Sequence, residues 1–313
     1  MNNKPLVSVL INNYNYGNFI AEAIDSALNQ NYPSVEVIVV DDGSTDNSRE
    51  IIASYSDRIK PILKENGGQA SAFNAGFAAS KGEIICFLDS DDLFNAEKVT
   101  AVVCDFQQDK TIGWHFHTLE LFGDHFQQNK PDLASSNLSG IYDLRPYMSQ
   151  GRLRGSLSFE INTATSGTCF RRSLLEKILP MSEEIRITSD DYVKYAALGI
   201  SRGFISFQPL AQQRIHENNA YTCKPNIKKL RAIIQILTAY QLKKNFPELS
   251  KFSYNLVAMG ISLYWQVGTS DPEIQSLIRN YIETTTFSAS LYIYIKAVYH
   301  RFIRQYIAML GSK

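Results

Sequence analysis

A chain of 313 residues with 44% hydrophobic content has room for two domains or one large one and ample material for a core, which excludes intrinsic disorder. Thirty-one Lys and Arg balance thirty-one Asp and Glu, so no global field favours nucleic acid or another polyanion. The charge is nonetheless segregated, with seven basic against fourteen acidic residues in 1–100 and twelve against four in 224–313.

Leu6–Ile11, Val35–Val40 and Glu83–Leu88 are short, β-branched and nearly continuous in apolar character, the texture of strands buried on both faces of a parallel sheet. Between them Ile20, Ile24, Ala27 and Leu28 follow helical spacing. Ser44 is expected to cap a second helix that holds Asp46, Ile51 and Ile52, and a third around Ala70–Ala79 stops at Gly82. With a weaker strand near Ile59–Leu63, this alternation predicts an open α/β sheet. From Thr111 onward, strand-like pieces (Thr111–Leu121, Ala164–Phe170, Gly203–Pro209) mix with short helices at Ser173–Ile178 and Asp191–Leu198. Beyond Lys224 the pattern is helical, near 226–245, 249–267, 272–283 and 288–310, with breaks at Pro247 and at Gly268–Pro272. The expected organisation is a domain over 1–223, with halves at 1–110 and 111–223, and a helical region over 224–313.

Cys86, Cys104, Cys169 and Cys223 form no CxxC pair, so they read as reduced thiols and not as a zinc or disulfide framework. The apolar run after Lys4 is too short for a signal peptide, and no stretch of about 18 apolar residues occurs. A cytoplasmic location is expected.

Each strong strand ends in polar residues: Asn12-Asn13-Tyr14-Asn15, Asp41-Asp42-Gly43-Ser44 and Asp89-Ser90-Asp91-Asp92. Ligands of open α/β sheets sit at the carboxyl ends of the strands, so five carboxylates would converge on one crevice. Crowded carboxylates repel unless a cation or donors compensate, and paired aspartates beside phosphate oxygens suit Mg²⁺ or Mn²⁺. Alone, either acidic run also fits a helix cap or a solvated turn; their conjunction is the specific signal.

The segments VSVLINNYNYGNFIAEAIDSALNQNYPSVEVIVVDDGSTDNS and NGGQASAFNAGFAASKGEIICFLDSDD resemble the nucleotide-sugar-binding half of family 2 glycosyltransferases, closely over 6–110 and loosely to about 220. The resemblance implies the GT-A fold, a Rossmann-like, mixed but mainly parallel sheet flanked by helices, here with a C-terminal helical extension. It further implies inverting, metal-assisted transfer from a nucleotide sugar, a UDP-sugar in the first instance, to a saccharide or lipid-linked acceptor. Asn12 and Tyr14 would line the base pocket, Asp42 would bond the base, and Asp41 would support the turn. Gly67, Gly68 and Asn74 would approach the diphosphate and sugar. Asp89, Ser90 and Asp91 form the DxD signature, with Asp89 and Asp91 as metal ligands. Phe73 departs from the pattern, because many members carry a basic residue there.

Single displacement at an anomeric carbon needs a base for the acceptor hydroxyl. Asp190-Asp191 resembles the family's acidic pair, which makes Asp191 the base and Asp190 its acidic neighbour. Arg214-Ile215-His216 resembles the motif that closes over the diphosphate, with Arg214 facing phosphate and His216 a candidate metal ligand. His115 and His117 share a strand face but lack a third ligand and read as structural or as lining the acceptor site.

A sugar nucleotidyltransferase would show a glycine-rich, basic loop after the first strand, where Asn12 to Gly17 stand, and no GxGxxG supports a dehydrogenase. A binding module without turnover would not be expected to keep every acidic position. In the tail, Lys296, His300 and Arg304 oppose Leu291, Ile295, Val298, Phe302 and Met309. This pattern predicts an amphipathic helix for peripheral contact with the inner face of the plasma membrane; packing on the domain or in a homo-oligomer is the alternative.

Overall fold

A computed structural model describes residues 4–123, 139–152, 163–217, 219 and 227–303. Cys223 and the part of the tail from Arg304 onward lie outside these. The chain divides into two compact units, one of residues 1–144 and 159–217, the other of 145–158 and 218–313.

The first unit is built on a mixed sheet of nine strands. Strands β1 (Val7–Asn13), β2 (Val35–Asp42), β3 (Lys60–Lys64) and β4 (Ile84–Asp89) run parallel in the order β3-β2-β1-β4. Helices α1 (Ile20–Leu28), α2 (Ser48–Ser54) and α3 (Gln69–Ala79) connect them. A short β5 (Leu93–Phe94) and α4 (Lys98–Gln108) lead to the long β6 (Ile112–Phe122), with β7 (Gly140–Tyr142) following. Beyond β4 the sheet continues through β8 (Thr168–Arg171), β6, β9 (Arg202–Arg214) and β5, and β8 is antiparallel to both β4 and β6.

Alternation along the strands fills both faces. Val9, Ile11, Val37, Val39, Cys86 and Leu88 join one buried cluster with Ile20, Ile24 and Ala27 of α1 and Val99, Val102 and Phe106 of α4. On the other face α3 lies against β1 and β2, where a Cβ at Gly76 would meet the Val40 side chain at 3.2 Å. Each fully buried Ile or Val here contributes about 1.5–3 kcal/mol, which is why these runs carry so little polarity.

Three expectations differ in detail. Ser44 does not cap α2: its hydroxyl accepts from the Asn15 amide at 2.9 Å and from Asn13, and the helix starts only at Ser48, whose amide donates to Asp46. The run expected as one strand over Ala164–Phe170 opens with a 3-10 turn, Thr165–Gly167, held by the Thr168 hydroxyl on the Thr165 carbonyl. Strand β9 passes Pro209 and reaches Arg214, because the register with β6 jumps between His117↔Ser206 and Leu119↔Ala211. Pro209 sits inside this bulge, where it removes no ladder bond, and its carbonyl accepts from Asn95.

In the second unit α5 (Arg145–Ser149) joins the helices α8 (Ile227–Asn245), α9 (Ser250–Val267), α10 (Pro272–Glu283) and α11 (Phe287–Val298). Ile234, Ile236, Ala239 and Leu242 of α8 are buried, as are Leu256, Val257 and Ile261 of α9. A Cβ at Gly260 of α9 would lie 2.7 Å from Ile236, so the missing side chain permits the close approach of the two helices. Asp271 caps α10 ahead of Pro272, and Thr286 caps α11. The remaining helices of the first unit are α6 (Arg172–Leu175) and α7 (Ser189–Ile200).

Candidate active site

The carboxyl ends of β1, β2 and β4 lie side by side, with Asn13 opposite Asp41 and Asn12 opposite Asp89 in register. Asn13 Nδ2 donates to Asp41 Oδ2 at 2.9 Å, while Asp41 Oδ1 accepts from the Ser44 amide at 3.0 Å and from Arg49 Nε at 2.7 Å. Burial alone would raise the pKa of Asp41, but the donors of Ser44, Arg49 and Asn13 outweigh it and hold the value below the usual range. Asp41 is therefore a fixed anion that shapes the turn.

Asp42 serves the next loop. Its carboxylate accepts from Lys64 Nζ at 2.7 Å and from the amides of Gly67 at 2.9 Å and Gly68 at 2.7 Å. Gly43 has φ +84° and Gly68 φ +87°, and Cβ atoms there would lie 2.6 Å from the Asn66 amide nitrogen and 2.8 Å from Arg186 Cα. Glycine alone accommodates both the angles and the approach. An open depression of about 470 Å³, lined by Gly43, Ser44, Arg49, Lys64 and Asn66 among others, lies at these strand ends. Tyr14, just beyond β1, is 47% exposed, the state of a ring available for stacking.

Asn74 and Phe73 occupy α3 but differ in setting. Asn74 donates to the Met181 carbonyl and accepts from the Met181 amide, both at 2.9 Å, so its amide braces the chain ahead of α7. The Phe73 ring is buried against Phe87, with centroids 4.5 Å apart, which makes this position part of the core.

The DSDD turn ends β4. Asn12 Nδ2 donates to Asp89 Oδ1 at 2.9 Å, and the Asp89 amide donates to Ser166 Oγ. Ser166 in turn donates to Asp92 Oδ2 at 2.6 Å, whose other oxygen accepts from the Arg214 amide at 2.9 Å. Asp92 thus ties the turn to both β9 and the 3-10 turn before β8. Buried Lys98 reinforces it from beneath by donating to the Ser166 carbonyl at 2.6 Å. Asp91 Oδ2 lies 3.1 Å from His216 Nε2, and the Asp91 carbonyl accepts from Arg214 Nε. Arg214 also pairs with Glu22 at 2.8 Å and lies over the rings of Phe19 and Phe122. Its guanidinium is a brace across the turn. His216 packs on the Phe19 ring at 4.7 Å.

Burial first, and the neighbouring charge of Asp91 second, push the Asp89 pKa up to about 7, with Asp190 adding to the rise. Burial also drives Asp92 well above the carboxylate range, with Asp91 and Asp89 contributing. The amino end of α7 is tied to the β4 turn through the 163–166 segment, which accepts from Lys194 at Thr163 and from the Asp89 amide at Ser166. The hydroxyl of Ser90 and Oδ1 of Asn12 are buried with no hydrogen-bond partner among the described residues. Crowded carboxylates held partly protonated, beside polar atoms without partners, fit a divalent cation. Among the described residues no three His, Cys, Asp or Glu side chains form a complete ligand set, so Asp89 and Asp91 suit Mg²⁺ or Mn²⁺ only with further oxygens from a bound phosphate. His115 and His117 are fully buried and their pKa values are lowered by burial, with His115 on Asp105 and His117 on the Thr118 carbonyl, a structural pair.

Helix α7 carries Asp190 and Asp191 in its first turn. Lys194, one turn on, lies 3.0 Å from each carboxylate and donates to the Thr163 carbonyl at 2.9 Å. Burial raises the Asp190 pKa against the pull of Lys194, whereas Lys194 itself is held protonated by the two aspartates in spite of its burial. Asp191 is the more open of the pair, its side chain 36% exposed against 13%. Two features of the site escaped the sequence reading. Lys194 carried a signal, its i+3 and i+4 spacing from the aspartates; Ser166 carried none, because its partners Asp89 and Asp92 are more than seventy residues away.

The family model described as "Glycosyl transferase family 2" matches residues 8–179. A glycosyltransferase of Nostoc sp. is 35% identical over 223 residues, 68% of this chain and 66% of that protein. The hyaluronan synthase of Pasteurella multocida is 41% identical over 121 residues, 38% of this chain but 12% of the synthase. The chain thus spans just under two thirds of the first relative and a small part of the second. In fold it is similar to S. aureus TarS 1–349 in complex with UDP, with TM-score 0.62, 18% identity, and coverage of 95% of this chain and 89% of that one.

Proposed function

The chain belongs to glycosyl transferase family 2, and we propose that it is an inverting transferase moving a sugar from a nucleoside diphosphate to a saccharide or lipid-linked acceptor. The observation that carries the reading is that two acidic centres, Asp89–Asp91 after β4 and Asp190–Asp191 at the start of α7, are tied to one short segment, where Ser166 accepts from the Asp89 amide and the Thr163 carbonyl accepts from Lys194, the partner of both α7 aspartates. Tyr14 stacks on the base beside the depression at β2 and β3, and Gly67 and Gly68, whose amides are taken by Asp42, let the backbone come close to the diphosphate and sugar. Asn12 and Arg214 keep the acidic turn in place, while the Ser90 hydroxyl, without a partner among the described residues, is left for the bound donor. Asp89 and Asp91 would hold Mn²⁺ or Mg²⁺, with His216 beside Asp91. Such an ion, when bound, neutralises charge on the leaving diphosphate.

In the reaction the acceptor oxygen bonds to the anomeric carbon as the bond from that carbon to the diphosphate oxygen breaks, and the hydroxyl proton passes to Asp191. Asp190 and Lys194 hold Asp191 in place. A UDP-sugar donor and a role in glycan synthesis are the finer reading. Support comes from relatives: TarS has been crystallised with UDP and with UDP-GlcNAc, and segments of hyaluronan and chondroitin synthases are 41% and 42% identical. The fold is also similar to the mannosyltransferase PcManGT in complex with GDP-Man and Mn²⁺, TM-score 0.51, which makes GDP-sugars the second donor class to screen. The test is Asp191→Asn: it retains donor binding and loses transfer, since an amide cannot take the proton. Transfer surviving within about tenfold would move the base elsewhere.

A further inference from the structure

Helix α11 and its continuation as a π-turn over Tyr299–Ile303 present their apolar side outward. Ile293 and Ala297 are buried, and the Tyr292 ring meets the Tyr254 ring of α9 at 6.5 Å. The arc away from these contacts carries Phe287, 86% exposed, Leu291, 53%, Ile295, 60%, and Phe302, 61%, with Val298 between them. Phe287, Leu291 and Ile295 recur every four residues, so they form one continuous stripe along the helix. A stripe of large side chains in water is an interaction surface, unlike a scattered exposed leucine.

The polar surroundings identify what it meets. Residues 284–313 contain Lys296, Arg301, Arg304 and Lys313 and not one Asp or Glu. Tyr292 and Tyr299 are each about 40% exposed, and the Lys296 ammonium lies 5.6 and 5.8 Å from their ring centroids. We propose that this face of α11 docks on an anionic lipid bilayer. Its aliphatic and phenylalanine side chains enter the acyl boundary, the tyrosines lie at headgroup level, and Lys296 and Arg301 meet lipid phosphates. Among the described residues no helix is long and apolar enough to cross a membrane, so α11 lies in the interface plane. A second copy is the less suitable occupant. Pairing would bring a second set of four basic residues and no carboxylate from the segment to neutralise either set. The inference does not depend on the transferase reading.

The full chain is floated with vesicles of phosphatidylcholine alone and of phosphatidylcholine mixed with phosphatidylglycerol, at low and high salt. Binding to the anionic vesicles at low salt is expected, falling at least about tenfold on neutral vesicles. Leu291→Glu and Ile295→Glu, both outward positions, are each expected to lower partition about tenfold or more with unchanged circular dichroism and thermal midpoint, and Lys296→Glu to weaken its salt dependence. Absence of flotation with anionic vesicles at low salt overturns the proposal, as does binding indifferent to Leu291→Glu and Ile295→Glu. A dimer in sedimentation that Ile295→Glu dissociates assigns the face to a second copy and also overturns it. Nucleotide affinity of the same preparations separates the two readings, because loss of flotation with nucleotide binding intact counts against the membrane surface alone.

Discussion

Lys194→Met removes the cation that bridges Asp190 and Asp191 while keeping the volume of the stem. The ammonium lies 3.0 Å from each carboxylate, in a pocket where its own side chain is 14% and that of Asp190 13% exposed. At that distance and an effective dielectric of about 20, the Asp190 pair alone has about 5 kcal/mol of direct attraction, most of it offset by desolvation of the two ions. Truncating one partner leaves the other charge uncompensated, at about 3–5 kcal/mol. The lost bond to the Thr163 carbonyl adds about 1 kcal/mol that does not depend on pH. Asp190, already raised by burial, rises further without Lys194. A carboxyl whose folded pKa exceeds its unfolded value of about 3.9 binds more protons when folded. Its destabilising effect is therefore absent below the unfolded value and complete above the folded one. The deficit of the variant should be near its minimum at pH 4 and near its maximum at pH 8. Urea unfolding of both proteins at the two pH values reads it directly. A deficit under about 1 kcal/mol at pH 8, or one equal at both, refutes the buried ion-pair account.

Three further outcomes follow from the site. Since the Asp89 pKa is pushed up to about 7, Mn²⁺-dependent nucleotide affinity should fall about tenfold per pH unit below about 7 and level off above it; a flat profile between pH 5.5 and 8 removes Asp89 from the cation site. The same shift means that the apo protein loses stability as pH rises from about 4 to about 7, so the thermal gain on adding Mn²⁺ should be larger at pH 8 than at pH 6. Gly68→Ala, with φ +87° and a Cβ 2.8 Å from Arg186 Cα, should lower stability by about 2 kcal/mol or more in urea unfolding, and a loss below about 0.5 kcal/mol would show that the turn relaxes freely.

The sheet was legible where strands are buried on both faces. Val7–Asn13, Val35–Asp42 and Ile84–Asp89 are within two residues of the expected runs because continuous apolar character has no other cause there. The acidic clusters were equally visible, since they follow those strands directly. What the sequence could not display is pairing across distance. Asn74 reads as a ligand-facing residue, yet its amide closes on Met181, and Asp92 answers to Ser166 and to the Arg214 backbone. Pro209 argued for the end of a strand, and a register jump carries β9 past it. The periodicity of α11 grouped Leu291, Ile295, Val298 and Phe302, all of which are exposed, but carried no information on what covers each side. Ile293 and Ala297, which belonged to neither list, are the residues that face the helical unit.

Calorimetric titration of the native chain with UDP, with and without Mn²⁺, tests the central claim most directly, with Asp91→Ala as its partner. Binding at least about tenfold tighter with Mn²⁺, and loss of that dependence in a folded Asp91→Ala variant, is the predicted result. No binding of UDP or any other nucleoside diphosphate in either condition, or Mn²⁺ dependence undiminished in Asp91→Ala, would contradict the assignment of the turn after β4 as the nucleotide-sugar and cation site.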